Sequence, residues 1–303
     1  MEQIGLLHDG QIYDLQTAEA LNIKGDIIKA DDSKESLEIL RHSCAHMMAQ
    51  AIKELYPEAK FFVGPVVKEG FYYDFKVESK ISDEDLPTIE KKMKEIADRK
   101  LPITRHETTK EEFYEKFKND ELKQAVLKNI KDDTLTIYKQ GDFEDLCRGP
   151  HLPNTRMIRS FKLTRVAGAY LGGDEKNEMI TRIYGIAFFD KQALFDYTKM
   201  IEEAKKRDHR KLGTELELFT FNDDVGAGLP MWLPNGARLR SKLEHLLYKA
   251  HRVRGYEPVR GPEILKSEMW KISGHYANYK ENMYFTTIDE QEYGIKPMNC
   301  VGH

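Results

Sequence analysis

Three cysteines in 303 residues are too few for a disulfide scaffold, and that scarcity fits a reducing compartment such as the cytoplasm. No stretch approaches the ~18 apolar residues that a membrane span needs, and the mean hydropathy is -0.62. The opening Met1-Glu2-Gln3 lacks the basic and then apolar profile of a signal peptide. An excess of positive charge is missing too: 47 Lys and Arg face 51 Asp and Glu, a formal net charge of -4. Contact with nucleic acid would therefore need a local patch, because no global basic field exists. There is no internal repeat and no low-complexity segment. Secreted, membrane-spanning and disordered classes fall away. What remains is length enough for about two domains of roughly 100–200 residues, each with its own core.

Residues 1–35 hold short apolar pairs and turn residues (Asp9-Gly10, Lys24-Gly25-Asp26) and close in the polar run 31–35. This is the pattern of a small strand-rich piece followed by a linker. A helix is expected over 36–55, stopped by Pro57, with Leu37, Leu40, Cys44, Met48, Ala51 and Leu55 as its apolar stripe. Phe71, Tyr73, Phe75 and Val77 alternate with polar neighbours and predict a half-buried strand. Helices are expected over 87–100 and 110–129, and strands over 134–138, 161–166 and 178–189. A charged helix should run from 191 to about 210, and the basic run 205–211 marks a domain boundary near 200–212. Beyond it come a long amphipathic helix over 235–254 (Leu239, Leu243, Leu246, Ala250, Val253), a strand at 257–260 and a short helix near 264–273.

The reactive side chains come in two pairs. His42 and His46 stand four apart on an expected helix, so their rings leave one face a turn apart. With Leu40 at zero they lie near about 200° and 240°, while the apolar stripe lies between about 0° and 60°. The pair is expected to face away from this helix's own core. Cys147 and His151 form the second pair, in the loop Asp145-Leu146-Cys147-Arg148-Gly149-Pro150-His151. Two such pairs suit a four-ligand metal site, or a hydrolytic pocket with several proton carriers. By spacing alone, zinc and metal-free catalysis stand equal.

Arg41-His42-Ser43-Cys44-Ala45-His46, Gly64-Pro65-Val66, Gly70-Phe71-Tyr72-Tyr73-Asp74 and Cys147-Arg148-Gly149-Pro150-His151 together resemble the editing domain of bacterial threonyl-tRNA synthetases. Alanyl-tRNA synthetases and freestanding deacylases share that domain. The resemblance continues through Arg182-Ile183-Tyr184-Gly185, Lys206-Arg207-Asp208-His209-Arg210-Lys211 and Lys296-Pro297-Met298-Asn299-Cys300. It implies an α+β chain in four parts. A shortened ubiquitin-like (TGS-type) remnant would cover 1–35, and an editing domain with an antiparallel sheet and a His-bearing helix 36–190. A linker helix would cover 191–212, and the amino-terminal part of a class II aminoacylation domain, itself built on antiparallel sheet, 213–303.

By the same resemblance His42, His46, Lys123 and His151 surround the ester of a misacylated tRNA, and Tyr73, Asp145 and Cys147 line the pocket. The alanyl relatives hold zinc with the His/Cys set, whereas the threonyl domains work through an ordered water. Cys147 is read as pocket wall over nucleophile, because Arg148 alone is weak cause for an activated thiolate. Residues 255–262 resemble the first class II motif, which lies at a dimer interface and implies a homodimer. Met298 matches a threonine-binding position and Cys300 the first ligand of the aminoacylation zinc. The family's other two ligands are histidines beyond this chain, and His303 stands too close to serve. Val301 replaces the family's usual proline, which alters the expected turn. The motifs that hold ATP, with its Mg, are not in the chain.

Two sites in one chain make chemical sense. A zinc that ligates the threonine hydroxyl rejects valine, but serine lacks only a methyl, worth about 1–3 kcal/mol, so a second, hydrolytic site must remove it. The expected function is ATP-dependent activation of threonine and its transfer to tRNA(Thr), with editing of seryl-tRNA(Thr). The chain looks cut through a site and is expected to keep only editing, with the basic run 205–211 beside the tRNA acceptor arm. A standalone deacylase and a degenerate RNA-binding paralogue are the other two readings.

Overall fold

The computed structural model describes residues 2–128, 130 and 132–302. It divides into two compact units, Met1–Lys205 and Lys206–His303. All strand pairs between named strands are antiparallel, and helices alternate with them, so the α+β expectation is borne out. Among the described residues no helix is long and apolar enough to cross a membrane.

The first unit opens with β1 (Gln3–His8), β2 (Gln11–Asp14), α1 (Leu15–Ala20) and β3 (Asp26–Lys29), the strands ordered β2-β1-β3. α1 is too short to show a period in the sequence. A cap starts it: Thr17 N donates to Asp14 Oδ1 at 2.8 Å. Ile4 and Ile28 are buried in one core with Leu37 and Leu40 of α2 (Lys34–Leu55). Then follow β4 (Lys60–Phe61), β5 (Val66–Val67), β6 (Gly70–Lys76), α3 (Leu86–Asp98), β7 (Ile103–Thr109), α4 (Lys110–Lys116), α5 (Glu121–Lys128), β8 (Thr134–Gln140), β9 (Phe143–Leu146), β10 (Ser160–Tyr170), β11 (Met179–Phe188) and α6 (Lys191–Lys206). One sheet runs β10-β11-β6-β4 with β5 on β6, and another runs β7-β8-β9.

α2 departs from its expected amphipathic form. Nearly every residue from Ser36 to Ile52 is buried, those opposite the apolar stripe included. Sheet and α3 cover one side, while Gln140 at the end of β8 donates to Gln50 at 2.6 Å on another. The histidines therefore look into a second internal layer, and His46 is only 4% exposed. β6 likewise buries Asp74 as well as Phe71, Tyr73 and Phe75, because Arg182 of β11 donates to both Asp74 oxygens at 2.6 and 2.7 Å. The helix expected over 110–129 breaks at 117–120, where Asp120 Oδ1 accepts from Leu122 N and Lys123 N and restarts it. Asn129, its expected end, lies outside the described residues.

The charged linker helix also divides. α6 stops at Lys206, and α7 (His209–Glu215) starts on Asp208, whose Oδ1 accepts from Arg210 N at 2.8 Å. The second unit continues with β12 (Phe219–Thr220), β13 (Met231–Trp232), α8 (Pro234–Arg252), β14 (Ile264–Lys266), α9 (Ser267–Ile272), α10 (His275–Tyr279), β15 (Phe285–Ile288) and β16 (Gln291–Ile295). Its main sheet is ordered β14-β16-β15. The strand expected at 257–260 is absent, since Pro258 offers no N–H and no described strand pairs there. The segment expected to be helical from 264 begins as β14 and turns helical at Ser267. The apolar stripe of α8 exists but is uncovered, with Leu239, Leu243 and Leu246 each 46–63% exposed.

Candidate active site

Four elements and one loop of the first unit bring their side chains together. α2 supplies His42, Ser43 and His46, β6 supplies Tyr73, α5 supplies Lys123, and β9 supplies Asp145. The loop after β9 supplies Cys147 and His151. The two sequence pairs converge: one ligand atom each from His42, His46, Cys147 and His151 lie within 4.8 Å of one another. Cys147 Sγ is 3.1 Å from His42 Nε2 and 3.2 Å from His151 Nε2. The His151 ring lies 4.3 Å, centre to centre, from both His42 and His46.

The loop is pinned by groups that the sequence did not mark. His151 N donates to Asp14 Oδ2 at 3.0 Å, and Tyr138 Oη donates to the same oxygen at 2.6 Å. Gly149 N donates to Cys147 Sγ at 3.2 Å, and Leu152 N donates to Ser43 Oγ at 2.8 Å. Gly149 has φ 73°, and a Cβ there would stand 2.5 Å from Tyr138 Oη and 2.8 Å from Asp14 Oδ2. Only glycine fits both the conformation and the space.

Beside the histidines lies a buried charge cluster. Tyr73 Oη, Lys123 Nζ and Leu146 N all donate to the Asp145 carboxylate, and Lys123 and Asp145 are nearly inaccessible. Burial pushes the Asp145 carboxyl up and Lys123 down to about 8, the latter opposed by Asp120 and Cys147. Burial also pushes His42 down to about 4, against the Pro150 and Gly149 carbonyls and Asp14. His46 and His151 lie well below the ordinary histidine range, by burial first. His42 and Lys123 add to the effect on His46, and His42 and His46 to that on His151, since two protons in so small a space repel. At neutral pH all three imidazoles are therefore neutral and carry a free lone pair. The Cys147 thiol is raised by burial and stays protonated, which makes it a wall and a weak donor.

Three imidazoles and a thiol are a zinc-type donor set. Around a tetrahedral zinc with ordinary bond lengths, a sulfur–nitrogen edge measures about 3.5 Å. The edges here are shorter, at 3.1 and 3.2 Å, and match a thiol hydrogen bond. The residues suit the ion in kind, and His42, His46, Cys147 and His151 would hold it after opening at the sulfur. As they stand, they offer neutral bases beside a buried Lys–Asp pair, the equipment for hydrolysing an activated ester.

Met298 and Cys300 lie in the second unit, and both are exposed. Cys300 Sγ is 3.4 Å from His275 Nε2, and His275 Nδ1 is 2.8 Å from Ser273 Oγ. The sequence reading did not single out His275, which sits 25 residues upstream with no spacing to mark it. His303 lies outside the described residues.

The family model of the threonyl and alanyl tRNA synthetase second additional domain matches residues 135–184, from β8 to β11. A threonine–tRNA ligase from Campylobacter jejuni is 71% identical over 302 residues, covering 100% of this chain and 50% of the relative. The resemblance to threonyl-tRNA synthetases holds along the whole chain. The threonine–tRNA ligase of Campylobacter lari is 76% identical over 90% of this chain and 45% of its own length, and that of Helicobacter hepaticus 68% over 100% and 50%. The chain thus spans about half the length of the curated threonine–tRNA ligases it matches. A crystal structure described as the RNA binding domain of threonyl-tRNA synthetase from Cryptosporidium parvum is 48% identical over 32% of this chain and 24% of its own. Its TM-score of 0.31 is too low to speak for the fold.

Proposed function

We propose that this chain carries the editing centre of a threonine–tRNA ligase and hydrolyses the ester of seryl-tRNA(Thr). The observation that supports this most is the convergence of His42, His46, Cys147 and His151 on one spot, from motifs a hundred residues apart. A water oxygen attacks the ester carbonyl carbon and gives its proton to a neutral imidazole. The carbonyl–oxygen bond to the tRNA ribose then breaks, and the ribose oxygen takes the proton back. Lys123, close enough to depress His46, supplies positive charge for the developing oxyanion. Tyr73 and Asp145 hold Lys123 in place.

The second unit reads as the start of a class II aminoacylation domain. In the whole enzyme Met298 would touch threonine and Cys300 would ligate zinc, with ATP and Mg held by motifs outside this chain. The uncovered stripe of α8 would meet the rest of that domain and a second copy in a homodimer. The working place is the cytoplasm. On this reading residues 36–190 edit, 191–212 link, and 1–35 form a TGS-type remnant docked on the editing domain.

The test is a pair of incubations with purified chain. Serine should be lost from seryl-tRNA(Thr) with time, and threonine should not be attached to tRNA when ATP is supplied. Charging with threonine would refute the division of labour. No hydrolysis at saturating seryl-tRNA would favour an RNA-binding paralogue with a degenerate site.

A further inference from the structure

Ser43 lies between the two histidines of α2, is fully buried, and touches three polar groups at once. Its Oγ is 2.9 Å from the Ile39 carbonyl oxygen, 2.8 Å from Leu152 N and 3.2 Å from His151 Nδ1. A hydroxyl has one proton to give and two lone pairs to receive. The Ile39 oxygen can only accept, so the proton goes there. Leu152 N–H can only donate, so it takes one lone pair. The remaining lone pair faces His151, and that contact is satisfied only if Nδ1 carries the ring proton. With the opposite tautomer, Oγ would need a second proton, or the Ile39 oxygen would sit 2.9 Å from an oxygen with no hydrogen between them.

We infer that Ser43 is a positioning residue of this centre: it holds His151 as the Nδ1–H tautomer, so that the Nε2 lone pair points at Cys147 and into the site. Three features make the hold firm. Leu152 N fixes Oγ from the loop side, the helix fixes it through Ile39, and Asp14 fixes the backbone of His151 itself. The same tautomer is the one His151 would need to ligate a metal through Nε2. Ser43 is not a nucleophile here, because its proton is committed to a backbone carbonyl and its lone pairs to two N–H groups.

The catalytic consequence rests on the editing reading, whereas the tautomer does not, and the experiment separates them. The full chain is labelled with 15N-histidine, and long-range 1H–15N correlations are recorded near pH 7, with His151 assigned from the peaks that vanish in His151→Gln. The native protein should show His151 protonated at Nδ1 and bare at Nε2. In Ser43→Ala that pattern should be lost, and kcat for seryl-tRNA hydrolysis should fall about 10–100-fold, as outer-shell substitutions do, with KM changed less than about twofold. A native His151 protonated at Nε2 overturns the inference, as does a Ser43→Ala protein with unchanged kcat. If Ser43→Ala does not fold, the native spectrum alone decides. Nδ1–H in a chain that hydrolyses no seryl-tRNA would support the tautomer and sink the editing reading.

Discussion

Asp14 Oδ2 accepts the backbone N–H of His151 at 3.0 Å, across 137 residues of sequence. The same oxygen takes the Tyr138 hydroxyl, so one carboxylate of the first small sheet ties down the loop that carries Cys147 and His151, half of the four-residue His/Cys cluster. Asp14→Ala takes the acceptor from three donors. It leaves the buried His151 N unpaired at about 1–3 kcal/mol, leaves Tyr138 Oη only Thr17 Oγ1 at 3.0 Å, and removes the cap on Thr17 N. The expected loss is about 2–4 kcal/mol in urea unfolding, together with slower seryl-tRNA hydrolysis. Asp14→Asn keeps an acceptor oxygen and should fall between. A change below about 0.5 kcal/mol for the alanine variant would show that water replaces the carboxylate freely.

His42→Ala and His46→Ala should both remove deacylation, by about 10²–10⁴-fold if each imidazole carries or orients a proton. They should differ in stability. His46 is closed in by Tyr73, Phe143 and His151, so its truncation leaves a cavity and costs about 1–3 kcal/mol. His42 is partly exposed and should cost less. The expectation that both histidines face away from the core does not hold for His46, which is buried, and thermal melts must accompany the kinetics. Full activity in either variant would remove that histidine from the reaction.

The metal-free chain should lose stability as the pH falls below about 6.5. An unfolded histidine takes up its proton near there, while folded His42 does so only near about 4. Between those values the unfolded state binds more protons, so stability rises with pH and is lost on acidification. His42 alone accounts for about 3 kcal/mol across that window; His46 and His151 shift in the same direction, and the raised Asp145 carboxyl opposes the three histidines. Urea midpoints at pH 7.5, 6 and 5 measure the slope. A flat line from 6.5 to 5 would mean that the cluster is already charged when folded.

What the sequence made legible was local. The four-residue spacing of His42 and His46 placed them on one helix face, and the Cys147–His151 loop stood out by composition. The alternation in β6 marked its buried side. What it hid depended on partners distant in the chain. β7 carries Arg105, His106 and Glu107 and shows no apolar alternation; its partner β8 and the Gln16 side chain fix it, Gln16 Nε2 donating to the Ile103 carbonyl at 2.7 Å. α2 reads as amphipathic, but packing on several sides buries its polar residues too. Asp14 and Ser43 look like any turn or helix polar residue until the loop folds onto them. The apolar face of α8 was legible, yet among the described residues of this unit nothing covers Leu239, Leu243 and Leu246.

Zinc offers the last test, because two of the three cysteines, Cys147 and Cys300, lie beside a histidine nitrogen in different settings. A catalytic zinc site needs three protein ligands with one position open. Cys300 has His275 at 3.4 Å, which makes two, and among the described residues the group of three or more candidate ligands is the one around Cys147. Zinc taken up after dialysis should therefore be insensitive to Cys300→Ser and lost in Cys147→Ser. Cobalt substitution gives the same answer by spectroscopy, since a thiolate–cobalt charge-transfer band reports sulfur ligation directly. Binding at the cluster must open the 3.1 Å contact between Cys147 and His42 and deprotonate a thiol that burial holds protonated, so uptake should strengthen with rising pH. Stoichiometric zinc that disappears on Cys300→Ser would mean that the second unit assembles a third ligand of its own, and the assignment of its histidines would have to be redrawn around His275.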